Sequence, residues 1–212
     1  MPDLPDRRQR EAELAIIIAA LFDDQYRTIL SGGGQVSWSN AEIQTAARIA
    51  DPLGETALAA ARFLAEKQGF ADLPAGAETE LRRWAAGYSS VFSAELTDST
   101  RRKVIAAAKA ARNAEDLAAR LAAIFSADRA NDIAVTETTR AISGGERILI
   151  AYFIMRTGQS LNPVWKTEAD GLVCPVCAPL HNQPETVFSV AFPAGPPAHP
   201  RCRCHLEYFT DA

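Results

Sequence analysis

The sequence predicts an α+β protein in which a predominantly α-helical body is followed by a small C-terminal β-containing module. Three observations predict it. Up to Gly158 the apolar side chains recur at steps of three and four, the spacing that lines one face of a helix. Beyond Gly158 prolines become frequent and short β-prone pieces replace those stripes. All four cysteines lie in that second region, after residue 173.

The first helix is predicted from Glu11 to about Leu30, on the stripe Leu14, Ile18, Phe22, Tyr26 and Ile29. Gly32, Gly33 and Gly34 end it, because adjacent glycines carry a large entropic cost inside a regular element. Ser39 and Glu42 have capping-box spacing ahead of Ile43 and open the next helix. Pro52 is expected to bend or divide that helix before Leu53, Ala57, Ala60 and Leu64 resume the stripe. After a turn-rich stretch from Gly69 to Gly76, Leu81, Trp84, Tyr88 and Val91 form another stripe. Thr97 and Asp98 are N-cap candidates for a helix through Val104, Ile105 and Ala108. Asn113 is the candidate for one carrying Leu117, Leu121, Ile124 and Phe125, and Asp128 for one through Ile133, Ala134 and Ala141. The apolar run Ile148 to Met155 reads as a buried helix ending at Gly158. Val164 to Thr167, Thr186 to Phe192 and Leu206 to Phe209 are the β-prone pieces. The expected division is 1–95, an N-terminal helical region; 96–158, a helical core; and 159–212, the C-terminal module.

Composition excludes several classes. A hydrophobic fraction of 48% with 23% charged residues is that of a globular chain, so wholesale disorder is excluded. The longest apolar runs, Ala15 to Phe22 and Ile148 to Met155, fall well short of the roughly 18 residues of a membrane span. Glu11, Glu13, Asp23 and Asp24 crowd the first of them, which does not fit a signal peptide, so synthesis and folding in the cytoplasm are expected. A net charge of −4 argues against a surface that grips nucleic acid as a whole. The run Arg101, Arg102, Lys103 reads as a solvated helix face.

The chemistry is concentrated in Cys174-Pro175-Val176-Cys177 and in His199-Pro200-Arg201-Cys202-Arg203-Cys204. A CxxC pair on a tight turn brings two sulfurs to one side, and a second set from a returning segment completes the tetrahedral shell that Zn²⁺ prefers. Cysteines clustered this way in a reducing cytoplasm favour metal over disulfide. A redox CxxC fits poorly, because Pro179 follows and discourages the helix that such motifs need. The C-terminal part is therefore expected to be a β-containing zinc-binding module with a structural Zn²⁺. Five candidates compete for four positions: Cys174, Cys177, His199, Cys202 and Cys204. His199 and Cys202 pair across the Pro-Arg turn, whereas Cys202 and Cys204 share one face of an extended segment, and spacing leaves the choice open. His181 and His205 are read as surface or hydrogen-bonding residues and Trp165 as a core aromatic.

An ordered series of motifs carries a resemblance. Leu96-Thr97-Asp98-Ser99-Thr100-Arg101 is followed by Ile133-Ala134-Val135-Thr136-Glu137-Thr138 with Arg140-Ala141, then by Trp165-Lys166-Thr167 and Asp170. Val173-Cys174-Pro175-Val176-Cys177-Ala178-Pro179-Leu180 and Pro196-Pro197-Ala198-His199-Pro200-Arg201-Cys202-Arg203-Cys204 complete it. Over roughly residues 96 to 208 the chain resembles the head morphogenesis family named after phage Mu protein F, the minor head proteins of tailed bacteriophages. The resemblance implies a structural virion protein, not an enzyme, inside the procapsid near the portal. It would act in head assembly, with DNA packaging or ejection as a further role. The implied partners are the portal protein, an internal scaffold or the major capsid protein, with phage DNA as a further candidate and no membrane. It also suggests that Glu137 pairs with Arg203, tying the module to the helical body by a charge-assisted hydrogen bond; local pairing with Arg140 is the alternative.

Two other functions compete. A zinc-dependent hydrolase, nuclease or toxin-like enzyme needs an open coordination position and a base such as Glu207 or Asp170. Zinc deaminases carry H-x-E before P-C-x-x-C, and here the order is reversed. A zinc-stabilised nucleic-acid-binding module would use Arg201 and Arg203 and bind with strong salt dependence.

Overall fold

In a computed structural model, the described residues are 4–31, 36–168, 171 and 173–210, and they form six α-helices and two strands. The glycine run Gly32 to Gly34 and Asp170 lie outside them. Helix α1 (Arg7–Ser31) buries Leu14, Ile18, Phe22 and Ile29, the stripe its spacing predicts. Helix α2 (Trp38–Lys67) starts earlier than the capping-box reading: Ser37, not Ser39, is the cap, accepting a hydrogen bond from the Asn40 N–H at 3.4 Å. Pro52 sits inside α2 without dividing it. The loss of one backbone hydrogen bond there is outweighed by a buried face that runs from Ile49 and Leu53 to Leu64.

Helix α3 (Ala77–Ala110) runs unbroken through Thr97 and Asp98, which are not N-caps, and so crosses the expected boundary at residue 95. The reason lies in its buried face, where Ser89, Ser93, Thr97 and Thr100 continue the helical spacing with small polar residues. Their size lets a neighbouring helix approach, and Ser89 and Ser93 satisfy their hydroxyls on the backbone carbonyls of Ala86 and Ser90. Phe92 takes the buried place expected of Val91, which is exposed. Asn113 caps helix α4 (Ala114–Ile124), its side chain accepting from the Asp116 N–H at 2.8 Å. Helix α5 (Ala127–Thr157) is capped by Ser126 instead of Asp128 and continues through the Ile148 to Met155 run to Gly158, whose φ of 69° closes the helix.

Strand β1 (Leu161–Lys166) pairs antiparallel with β2 (His205–Thr210), Leu161 opposite Thr210 and Lys166 opposite His205. The segment Thr186 to Phe192 is not a strand. It holds the one-turn helix α6 (Glu185–Phe188), which drops Phe188 onto Trp165 with ring centroids 5.5 Å apart.

Two main cores follow from this arrangement. One fills the space among α1, α2, α3 and α5 with Ile18, Phe22, Ile49, Leu53, Phe92 and Ala134. The other joins Ala57, Leu64, Leu81 and Leu149 of the helices to Trp165, Phe188, Leu206, Cys177, Cys202 and Cys204. The cysteine-bearing module has its hydrophobic face in the same core as the helices, so burial holds the ligands' backbone against the body.

Candidate metal centre

The first arm of the site is a tight turn. The N–H groups of Cys177 and Ala178 both return to the Cys174 carbonyl, at 3.1 and 2.9 Å, and the Cys177 N–H also lies 3.3 Å from the Cys174 sulfur. The second arm reverses at His199-Pro200-Arg201-Cys202, closed by the Cys202 N–H on the His199 carbonyl at 3.1 Å. Arg201 occupies the left-handed region at φ 62°, where a side chain costs about 1–2 kcal/mol.

These arms bring all five sequence-predicted donors together, compatible with a metal site. Cys174, Cys177 and His199 form one triad and Cys177, Cys202 and Cys204 another, with Cys177 in both. His199 Nε2 lies 2.8 Å from the Cys174 sulfur and 3.2 Å from that of Cys177. The Cys177 and Cys202 sulfurs are 3.8 Å apart. His199 Nδ1 sits 2.7 Å from the Pro200 carbonyl, so it donates there and leaves the Nε2 lone pair aimed at the sulfurs. Cys177, Cys202 and Cys204 are buried and Cys174 and His199 half-buried, and all five line a cleft of about 350 Å³ together with Thr167, Glu168, Arg201 and Arg203.

Three thiols facing one another cannot all ionise without a cation. Hydrogen bonds from Cys177 and Cys204 pull the Cys202 thiol far down, and the same contact pushes Cys177 far up, with burial adding to the rise. At Cys204 the hydrogen bond from Cys177 favours the thiolate, but Cys202 and burial outweigh it and raise the thiol. Trp165 is fully buried, as expected of a core aromatic. A divalent cation would remove the repulsion and displace the remaining protons.

His181 and His205 stand outside both triads. His181 Nδ1 meets the Thr167 N–H at 3.2 Å, and His205 is buried with Nδ1 3.6 Å from Glu168. Glu207 lies on β2 with its carboxylate 3.2 Å from Lys166.

The expected Glu137–Arg203 tie is corrected. Glu137 is buried in the helical body, where it accepts a hydrogen bond from the Tyr88 hydroxyl and lies 3.5 Å from Arg140 Nε, the local alternative. Position along α5 explains the difference: Thr136 and Thr139, not Glu137, face the second arm. The Arg201 N–H donates to Thr136 Oγ1 at 2.8 Å, Thr139 donates to the Cys202 carbonyl at 2.5 Å, and Arg7 of α1 donates to the Arg203 carbonyl at 2.9 Å. Sequence reasoning missed Arg7 and Thr139. Arg7 sits in a charged stretch that reads as solvated, and nothing in its neighbourhood signals a buried partner.

Burial raises the Glu137 carboxyl above its ordinary value of 4.5, the hydrogen bond from Tyr88 and the charge of Arg140 opposing it in part. A carboxyl raised on folding contributes stability that is fullest below the unfolded value and is lost as pH rises through the folded one. Stability should therefore fall as pH rises from 4.5 through that raised value. Glu137→Gln should remove this slope, which amounts to about 1.4 kcal/mol for every tenfold gain in proton affinity on folding. Urea unfolding of both proteins between about pH 4 and pH 8 measures it; parallel curves would refute it.

Comparison of the chain with family models, with curated proteins and with solved structures found no match to any of them.

Proposed function

We propose that this chain is a structural minor head protein of a tailed bacteriophage, similar to the phage Mu protein F-like family, with Zn²⁺ held by its C-terminal knuckle as a folding clasp. The observation that carries the reading is the meeting of two blocks of the resemblance. Thr136 in the first and Arg201-Cys202 in the second belong to motifs far apart in sequence, yet they and the adjacent Thr139 are hydrogen-bonded to each other. Thiolate and imidazole donors suit Zn²⁺, and a tetrahedral site with Zn–S bonds of about 2.3 Å has S···S edges of about 3.8 Å. The Cys177–Cys202 separation of 3.8 Å fits such an edge. Five donors for four positions close the shell, which favours a structural metal over a catalytic one.

The cleft that the five donors line is a feature that favours a zinc hydrolase. Of its two base candidates, Asp170 lies outside the described residues and Glu207 is poorly suited to the role. Burial tends to raise the Glu207 carboxyl, but hydrogen bonds and nearby positive charge, that of Lys166 among them, outweigh it and hold it below the usual carboxylate range, a poor base at neutral pH. Arg201, the first candidate of the nucleic-acid reading, is 3.2 Å from Asp132 and serves the docking of the second arm.

In this reading the protein resides inside the head, next to the portal and in contact with the portal, scaffold or major capsid protein. Co-expression with the neighbouring phage head genes should place it in procapsids together with stoichiometric zinc, read by mass spectrometry and metal analysis of purified particles. Its absence from particles would sink the proposal, and zinc-dependent turnover of a phosphodiester or peptide substrate would replace it with the hydrolase.

A further inference from the structure

Three consecutive residues of the second arm place a backbone group on the helical body. Arg201 gives its N–H to Thr136, Cys202 takes the Thr139 hydroxyl on its carbonyl, and Arg203 takes Arg7 on its carbonyl. Asp132, Thr136 and Thr139 follow one another at steps of four and three and so share one face of α5, with Asp132 holding the Arg201 side chain at 3.2 Å. Thr139 and Arg7 are linked in turn: the second guanidinium nitrogen of Arg7 donates to Thr139 Oγ1, and Nε donates to Glu11 at 2.8 Å. Thr139 and Arg7 are only 1% and 4% exposed. A buried guanidinium with each of its three nitrogens donating to a fixed acceptor has one tolerable position, because an unpaired charge there would be expensive.

We infer that Thr136, Thr139 and Arg7 are positioning residues of the metal centre, so that metal affinity is set by the docking of the Cys202 arm onto α5 and α1. The inference rests on the metal reading above and names what regulates that site. None of the three touches a sulfur or His199 in the contacts described. Each instead fixes the peptide units on either side of Cys202, including the left-handed Arg201 that the isolated arm would not favour. Partners beyond the ligands usually change metal affinity by about 10–100-fold when removed. Linkage makes the effect reciprocal: metal binding must tighten the first turn of α1 by the same free energy through which Arg7 tightens the metal.

The test titrates the full chain with Zn²⁺ against a chromophoric chelator and with Co²⁺ by visible absorption. Thr139→Val, which keeps the shape and loses the hydroxyl, should bind Zn²⁺ about 10–100-fold more weakly and alter the Co²⁺ ligand-field bands. Thr139→Ser should restore both. If Thr139→Val fails to fold, the wild-type protein still decides: Zn²⁺ should slow amide hydrogen exchange in residues 7–11 as well as around Cys202. A Thr139→Val variant with wild-type affinity and spectrum, or exchange in residues 7–11 that Zn²⁺ leaves unchanged, would overturn the inference. A wild-type chain that binds neither Zn²⁺ nor Co²⁺ would instead overturn the metal reading on which it rests.

Discussion

Cys177→Ser is expected to weaken Zn²⁺ binding by more than about 100-fold, beyond the range of second-sphere changes, and more than the same change at Cys174, Cys202 or Cys204. Cys177 is the donor shared by both triads, so its loss breaks both, whereas loss of any other cysteine leaves one triad whole. Because a ligand that binds only the folded state stabilises it by mass action, a 100-fold excess over the dissociation constant contributes about 2.7 kcal/mol. Chelation of the wild-type protein should therefore reproduce the variant. The segment 173–204 should become sensitive to protease while the far-ultraviolet helix signal of α1 to α5 persists, since the core of Ile18, Phe22, Ile49 and Leu53 contains no ligand. Chelator competition, limited proteolysis and circular dichroism read the three parts. Equal losses at all four cysteines would show that Cys177 is not the shared donor.

Gly145→Ala is expected to destabilise the protein by about 3 kcal/mol or more, at or beyond the upper end of ordinary overpacking. A Cβ there would stand 2.1 Å from the Ala57 carbonyl oxygen and 2.9 Å from its Cα, and these are backbone atoms of α2 that no rotamer change can move. Helices α2 and α5 would have to separate, opening the core that also carries Cys177 and Cys202. For a chain of this size that loss lowers the melting temperature by about 6–12 °C. The contrast is Gly87, exposed in α3 with nothing within 4 Å of the added atom. Gly87→Ala should stabilise by about 0.5–1 kcal/mol through helix propensity alone. Thermal unfolding of the two variants side by side checks both signs, and a tolerated Gly145→Ala would mean that the two helices are not in contact there.

The five donors were legible because metal chemistry dictates residue type and spacing together, and local turns deliver both. The cap at Asn113 and the close at Gly158 were legible for the same reason: each depends on atoms within four residues. The starts of α2 and α5 shifted by two residues because Ser37 and Ser126 compete with equally plausible neighbours. The unbroken α3 escaped an apolar count, since Ser89, Ser93, Thr97 and Thr100 carry the helical period in hydroxyl groups that are buried only because another helix covers them.

The partner of Glu137 shows where local reading stops. Periodicity puts a carboxylate on a helix amid apolar neighbours and demands a partner, but which one depends on the rotation of α5 against α3 and the second arm. That rotation turns Glu137 to Tyr88 and Thr139 to Cys202. The sequence by itself determined the helical body, the terminal pair of strands and the five donors, all of which rest on short-range geometry and on the affinity of thiolate and imidazole for a cation. Only the tertiary structure decided that the knuckle shares its core with the helices and hangs its backbone on Thr136, Thr139 and Arg7. Those contacts join residues up to 196 positions apart, and no local propensity encodes them.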